Sequence, residues 1–287
     1  MVKLMIDSAA DIGKKEAEEK GMIMIPMLIT IGEEEFYDGV NLSPQEFWGK
    51  LIESDVLPKT SLINEYRFGE AFEKYTKNGD ELIVITISSK LSGTYASAKQ
   101  AAEKFEGKVY VIDSLNACVG ERLLCEYAQR LIKKGLSVQD IVKELEEKKS
   151  KIKVMALLGT LEYLKKGGRI SSAVAFAGEL ISLKPVVGVV DGAVKLIGKA
   201  MGSRKGTNLL NKLVQESGGI DFSMPFATVW SGLDEALLDK YIKDSAILWA
   251  GHTDSVPKHI LGATIGTHVG PGTVGVAFFE GKGNKGH

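Results

Sequence analysis

ELIVITISSKLSGTYASAKQAAEKF, residues 81–105, begins as an apolar run from Leu82 to Ile87, passes through Ser88, Ser89, Ser92, Gly93 and Thr94, and continues in a small-residue helical pattern. A short run this apolar reads as a buried strand feeding a helix. At such a junction hydroxyls, unpaired backbone N–H groups and the helix dipole converge and favour negative charge. No Lys-Ser/Thr pair follows the glycine, so the turn is not built as a P-loop. It is expected to hold a small anionic head group such as a carboxylate. The alternative is that the hydroxyls merely cap the helix, although four around one glycine exceed what a cap needs.

Working outward, strand and helix alternate through the first half. Leu4-Met5-Ile6 is an opening strand ending in Asp7-Ser8, a charged helix runs to about Lys20, and Met22 to Ile31 is a second apolar extended run. A turn at Asp38-Gly39 precedes Ser43-Pro44-Gln45-Glu46, a capping box with proline at the first helical position, which starts a helix through Ile52. Further helices are predicted over Asn64 to Lys77, Ala117 to Lys134 and Ser137 to Lys149, with a strand from Val109 to Ile112 ending in Asp113-Ser114. The alternation predicts a Rossmann-like parallel sheet over residues 1–150. Residues 151–280 read as a mixed α+β domain: Asp191-Gly192 marks a hairpin, and strands are expected at Val154 to Leu158, Ala227 to Trp230, Ala246 to Trp249 and Val276 to Phe279. The expected fold class is therefore α/β with two domains. Residues 281–287, glycine-rich and polar, are expected to be a disordered tail.

The chain has 287 residues, 44% hydrophobic and 25% charged, within the ordinary globular range. Lysine plus arginine total 36 against 37 acidic residues, a net charge of -1 that lacks the basic excess of a dedicated nucleic-acid binder. No apolar run reaches the length of about 18 residues needed to span a bilayer, and residues 1–20 lack the pattern of a signal peptide. Cys118 and Cys125 lie seven apart in one helical pattern, roughly 10 Å along the axis and too far for a disulfide. A reduced, cytoplasmic protein is expected.

Other constellations carry competing readings. Lys59-Thr60-Ser61 repeats the hydroxyl signal in weaker form. Gly270, Gly272 and Gly275 satisfy G-x-G-x-x-G but open no helix and have no acidic residue downstream, so a dinucleotide site is rejected in favour of a glycine-rich loop with His268 beside it. His252, Asp254 and His259 match no metal spacing, and no metal is expected. Asp7 and Asp113 end strands at the carboxyl edge of the sheet, where ligands bind in open α/β folds, but turn capping accounts for both. Gly167-Gly168-Arg169 is either a helix end followed by a solvated arginine or an exposed guanidinium that meets phosphate or an acidic partner. Ser92, His268 and Asp7 or Asp113 also contain the ingredients of a serine hydrolase acting on an acyl ester, although no G-x-S-x-G elbow occurs.

Taken together, Asp7-Ser8-Ala9-Ala10-Asp11, Lys59-Thr60-Ser61, Ser88 to Tyr95, Leu161 to Ser171 and Thr267 to Gly272 resemble, in order and over nearly the whole chain, the DegV family of bacterial fatty-acid-binding proteins that serve fatty acid kinase. The resemblance implies one long-chain fatty acid buried between two α/β domains, with Thr60 and Ser92 on its carboxylate, Gly93 in the same turn and His268 joining the network. It also implies that Arg169 engages the kinase and that Arg204 lies near the head group. The partner kinase would supply ATP and metal, and this chain, not an enzyme by itself, would present the carboxylate for acyl phosphate formation. The family often has glutamine and proline after its threonine-serine pair, where this chain has Leu62-Ile63.

Overall fold

The computed structural model describes residues 1–171, 183–249 and 251–281. The chain folds as α/β around a four-stranded parallel sheet and a six-stranded mixed sheet. The parallel sheet has the order β2 (Met22–Ile25), β1 (Val2–Asp7), β6 (Glu81–Thr86) and β7 (Val109–Asp113). β6 pairs in parallel with neighbours on both sides and is buried from Leu82 to Thr86, which is why its sequence is apolar without alternation.

The mixed sheet is built from β9 (Leu183–Val190), β10 (Ala193–Met201), β8 (Ile152–Leu157), β13 (Val274–Phe279), β11 (Phe226–Trp230) and β12 (Lys258–Ile260), in the order β10-β9-β8-β13-β11-β12. The hairpin between β9 and β10 turns at Asp191 and Gly192, both at positive φ, as a tight two-residue connection requires. Its tip reaches the other sheet, where the Ser88 hydroxyl donates to Gly192 O at 2.7 Å.

Between the sheets runs the helix α5 (Cys118–Lys133), with ten buried residues. Gly120 faces Val154 of β8 so closely that a Cβ would overlap the valine, which places the helix against the mixed sheet. The remaining helices are α1 (Lys14–Glu19), α2 (Pro44–Glu53), α3 (Glu65–Thr76), α4 (Thr94–Ala102), α6 (Val138–Lys148), α7 (Glu162–Lys166), α8 (Ser203–Glu216), α9 (Ala236–Asp244) and α10 (Ala263–Val269). The expected capping box starts α2: Ser43 Oγ accepts from Glu46 N, and Glu46 accepts from Ser43 N.

Three expectations are corrected. The extended run Met22 to Ile31 is broken at Pro26-Met27 into two strands of different sheets, because proline removes a ladder donor. Its second part, β3 (Leu28–Ile31), is the centre of a small antiparallel sheet with β4 (Glu34–Tyr37) and β5 (Lys59–Ser61). Ala246–Trp249 is a 3₁₀ turn and not a strand; a four-residue apolar run carries no period to distinguish the two. The glycine-rich stretch around His268 is not simply a loop, since His268 sits in the last turn of α10. Of the expected tail, residues 282–287 lie outside the described residues, while Gly281 N donates to Gly219 O at 2.9 Å.

Candidate functional site

A cavity of about 440 Å³ lies between the carboxyl edge of the parallel sheet and one face of the mixed sheet. Val187, Ala156, Gly275 and Val229 are successive register partners across β9, β8, β13 and β11, and all four line it. This row gives the cavity an apolar floor of small side chains. No carboxylate lines it among the described residues; its polar lining includes Thr60, Ser92, His268 and Arg169, with Ser61, Thr264 and Thr273 as further hydroxyls.

Thr60 is placed by β5, whose backbone pairs with β3 at Ile29. Its hydroxyl lies 3.0 Å from His268 Nε2, which reaches across from α10. Ser92 Oγ lies 2.9 Å from Thr94 Oγ1 and accepts from Thr94 N at 3.3 Å, while Gly93 caps α4 with no side chain. A Cβ at Gly93 would come within 2.9 Å of Leu62 Cδ2, so glycine lets the Leu62 loop close on the helix end.

Burial pushes His268 down to about 4, and the Arg169 guanidinium adds to the shift. The imidazole is therefore neutral near neutral pH. Its Nδ1 is buried without a hydrogen-bond partner among the described residues, against Gly167, where a Cβ would overlap the ring.

The structure separates the four hydroxyls of the opening motif. Ser92 lines the cavity, whereas Ser88 is buried and tied to Gly192, and Ser89 is exposed with its N–H donated to Asp113 Oδ1 at 3.1 Å. Arg169 is not the exposed side chain expected of a turn. It is half-buried, lines the cavity, and donates from Nε to Leu91 O at 3.2 Å and from Nη1 to Gly167 O at 2.6 Å. Arg204 does not join this site: it is exposed in the first turn of α8 and does not line the cavity.

The hydrolase arrangement is not assembled. His268 Nε2 meets Thr60, not Ser92, and Nδ1 has no carboxylate behind it. Asp7 accepts from Ala9 N and Ile87 N, both at 2.8 Å, and Asp113 accepts from Ser89 and Leu115 N. Both aspartates brace backbone turns. Hydroxyls, a neutral imidazole and a guanidinium at an apolar cavity make a site for an anionic head on an apolar body.

The sequence model of the DegV family, described as uncharacterised proteins, matches residues 1–281. The chain belongs to the DegV family. A DegV domain-containing protein of Clostridium perfringens is 33% identical over 96% of each chain. The solved DegV family protein from Thermus thermophilus, described as binding fatty acid, superposes with a TM-score of 0.85 at 30% identity, over 96% of this chain and 98% of its own. DegV from Bacillus subtilis, described as a fatty acid binding protein, gives 0.81 at 28% identity over 96% and 98%.

In this DegV protein the residues that sequence reasoning missed are those that mount His268. Asp38 accepts from Ala263 N and Thr264 N, each at 3.1 Å, and Asp11 Oδ1 accepts from Gly262 N at 2.8 Å. The one sequence signal for this helix is Gly262, Gly266 and Gly270, spaced by four and so aligned on one helical face. Among the described residues no helix is long and apolar enough to cross a membrane.

Proposed function

We propose that the protein binds one long-chain fatty acid in this cavity and presents its carboxylate to a partner kinase for ATP-dependent acyl phosphate formation. The observation that carries the reading is an apolar cavity whose polar groups converge around the Thr60–His268 contact. A volume of 440 Å³ falls in the range of small-molecule pockets, and the apolar lining suits a long acyl chain. At about 0.8 kcal/mol per buried methylene, such a chain gains on the order of ten kcal/mol on leaving water. The fatty-acid-binding relatives support the same ligand class.

Thr60, Ser92, the Gly93 turn and His268 are proposed to hold the carboxylate. Hydroxyls and a neutral ring hold it at this contact without a histidinium, so an oxygen stays available to attack the γ-phosphate of ATP. Nucleotide and metal belong to the kinase on this reading, and the chain is a substrate-presenting subunit working in the bacterial cytoplasm. Arg169 is proposed as the partner contact from the edge of the cavity rather than from a free turn. A division near residue 150 follows the passage from one sheet to the other, where a 3₁₀ turn at Lys149–Lys151 leads into β8.

Organic extraction of the purified protein followed by mass spectrometry tests the ligand. The expected result is one non-covalent long-chain fatty acid per chain. No lipid released, together with no thermal shift on adding hexadecanoate, refutes the reading.

A further inference from the structure

Beyond the residues that line the cavity, we propose that Asp38, assisted by Asp11, is a positioning residue of the head-group site. It clasps the amino end of α10 so that His268 stays in register with Thr60. This rests on the fatty-acid reading above.

The two partners of the 3.0 Å contact arrive from opposite ends of the chain, Thr60 on β5 and His268 on α10. Their spacing therefore depends on how firmly α10 is seated on the first half of the protein. A seven-residue helix is too short to hold itself, and this one contains a glycine and β-branched residues.

The seating is built from side chains of the first half. Gly262 N goes to Asp11 Oδ1, Ala263 N to Asp38 Oδ1 and Thr264 N to Asp38 Oδ2. The Thr264 hydroxyl donates to the same Asp38 oxygen. Immediately before the helix, Leu261 O accepts from Trp48 Nε1 at 2.9 Å. Three successive N–H groups that would otherwise lack partners thus end on two carboxylates, Asp38 buried and Asp11 half-buried, where the helix end favours negative charge.

Two glycines make the approach close enough. A Cβ at Gly262 would sit 3.2 Å from both Asp11 Oδ1 and Asp38 Oδ1, and one at Gly266 would press into the Phe47 and Trp48 rings of α2. The carboxylates hold the amino end, the aromatic rings hold the flank, and His268 in the last turn is left with a fixed reach. Asp38 touches neither the cavity nor His268 directly, so its effect passes through the helix.

The test compares hexadecanoate with its methyl ester, which keeps the chain and removes the anionic head, in the wild type, Asp38→Asn and Gly262→Ala. The asparagine replaces an accepting oxygen with a donor facing an N–H group; the alanine wedges the carboxylates apart without backbone strain, since Gly262 has φ −76°. The expected result is about tenfold weaker hexadecanoate binding with ester affinity changed less than about twofold. The ¹⁵N resonances of His268 in ligand-free protein should shift as its Thr60 contact loosens. If Asp38→Asn does not fold, Gly262→Ala carries the comparison. Equal losses for both ligands, or an unmoved His268 signal, overturn the positioning role. A wild type that binds neither ligand refutes the fatty-acid reading instead, and the His268 signal still decides the clasp.

Discussion

Replacing Thr60 by valine removes one hydroxyl and leaves nearly everything else in place. The residue sits in the short strand β5, where a β-branched side chain is well suited and the backbone pairing to Ile29 is untouched. What is lost is the group 3.0 Å from His268 Nε2 and its proposed bond to the ligand carboxylate. A hydrogen bond to a charged partner contributes about 1.5–3 kcal/mol, so hexadecanoate should bind about 10- to 150-fold more weakly. The methyl ester draws most of its affinity from the apolar floor at Val187, Ala156, Gly275 and Val229, and should change by less than about twofold. Displacement of a fluorescent fatty acid from delipidated protein measures both ligands under one condition. Equal loss for acid and ester would show that valine damages the cavity generally. Unchanged hexadecanoate affinity would remove Thr60 from the head-group site.

Arg169→Ala should raise the titration midpoint of His268 from about 4 toward the ordinary histidine range, because a nearby cation that opposes protonation is gone; an NMR titration showing no movement refutes the coupling. The same variant should retain hexadecanoate while failing to support phosphorylation by the kinase, and loss of binding instead would assign Arg169 to the head group. Glu121 is buried, and burial with Asp7, Asp11 and Asp113 nearby pushes it well above the ordinary carboxylate range. The folded protein then holds a proton that the unfolded chain releases near the ordinary glutamate value of 4.5, so this contribution to stability falls as pH rises above that value. Glu121→Gln lacks the term and should gain on the wild type by about 1.4 kcal/mol per pH unit until the folded-state midpoint is reached. Urea unfolding across that range checks it, and parallel pH profiles for the two proteins refute it.

The elements legible in the sequence are those whose local signals agree with their tertiary role. β6 and α4 follow directly from an apolar run, a glycine and a small-residue helix, and both residues of the Asp191-Gly192 turn take the positive φ that the hairpin demands. β5 was invisible because three residues, Lys59–Ser61, carry no period; its strand character comes from the β3 edge that it joins. α10 was hidden for a different reason, since its glycine and β-branched residues are poor helix formers. Thr60, Ser92 and His268, which line the cavity, are legible by type, but type does not decide which way a side chain faces. Ser88 and Ser89 share Ser92's chemistry and turn elsewhere, while Arg204, two residues after Gly202 at a helix start, is exposed and does not line the cavity.

The location of the site follows from this division between local and tertiary control. Parallel strands deliver their turns to one edge, and at that edge Asp7 and Asp113 are consumed in fixing the turns that follow β1, β6 and β7. No carboxylate from that edge enters the cavity, which removes the repulsion a bound anion would otherwise meet. The mixed sheet supplies the opposite wall, with Ala156 and Gly275 where larger side chains would fill the floor. His268 must then be brought to the edge from beyond that wall, and a short helix held by Asp11, Asp38 and Trp48 does so while keeping the ring half-buried and neutral. A charged histidine would clamp an anion more strongly, but it would also neutralise the oxygen that the proposed phosphoryl transfer needs. On that proposal, a neutral ring at this position suits a site that presents a carboxylate and does not merely store it.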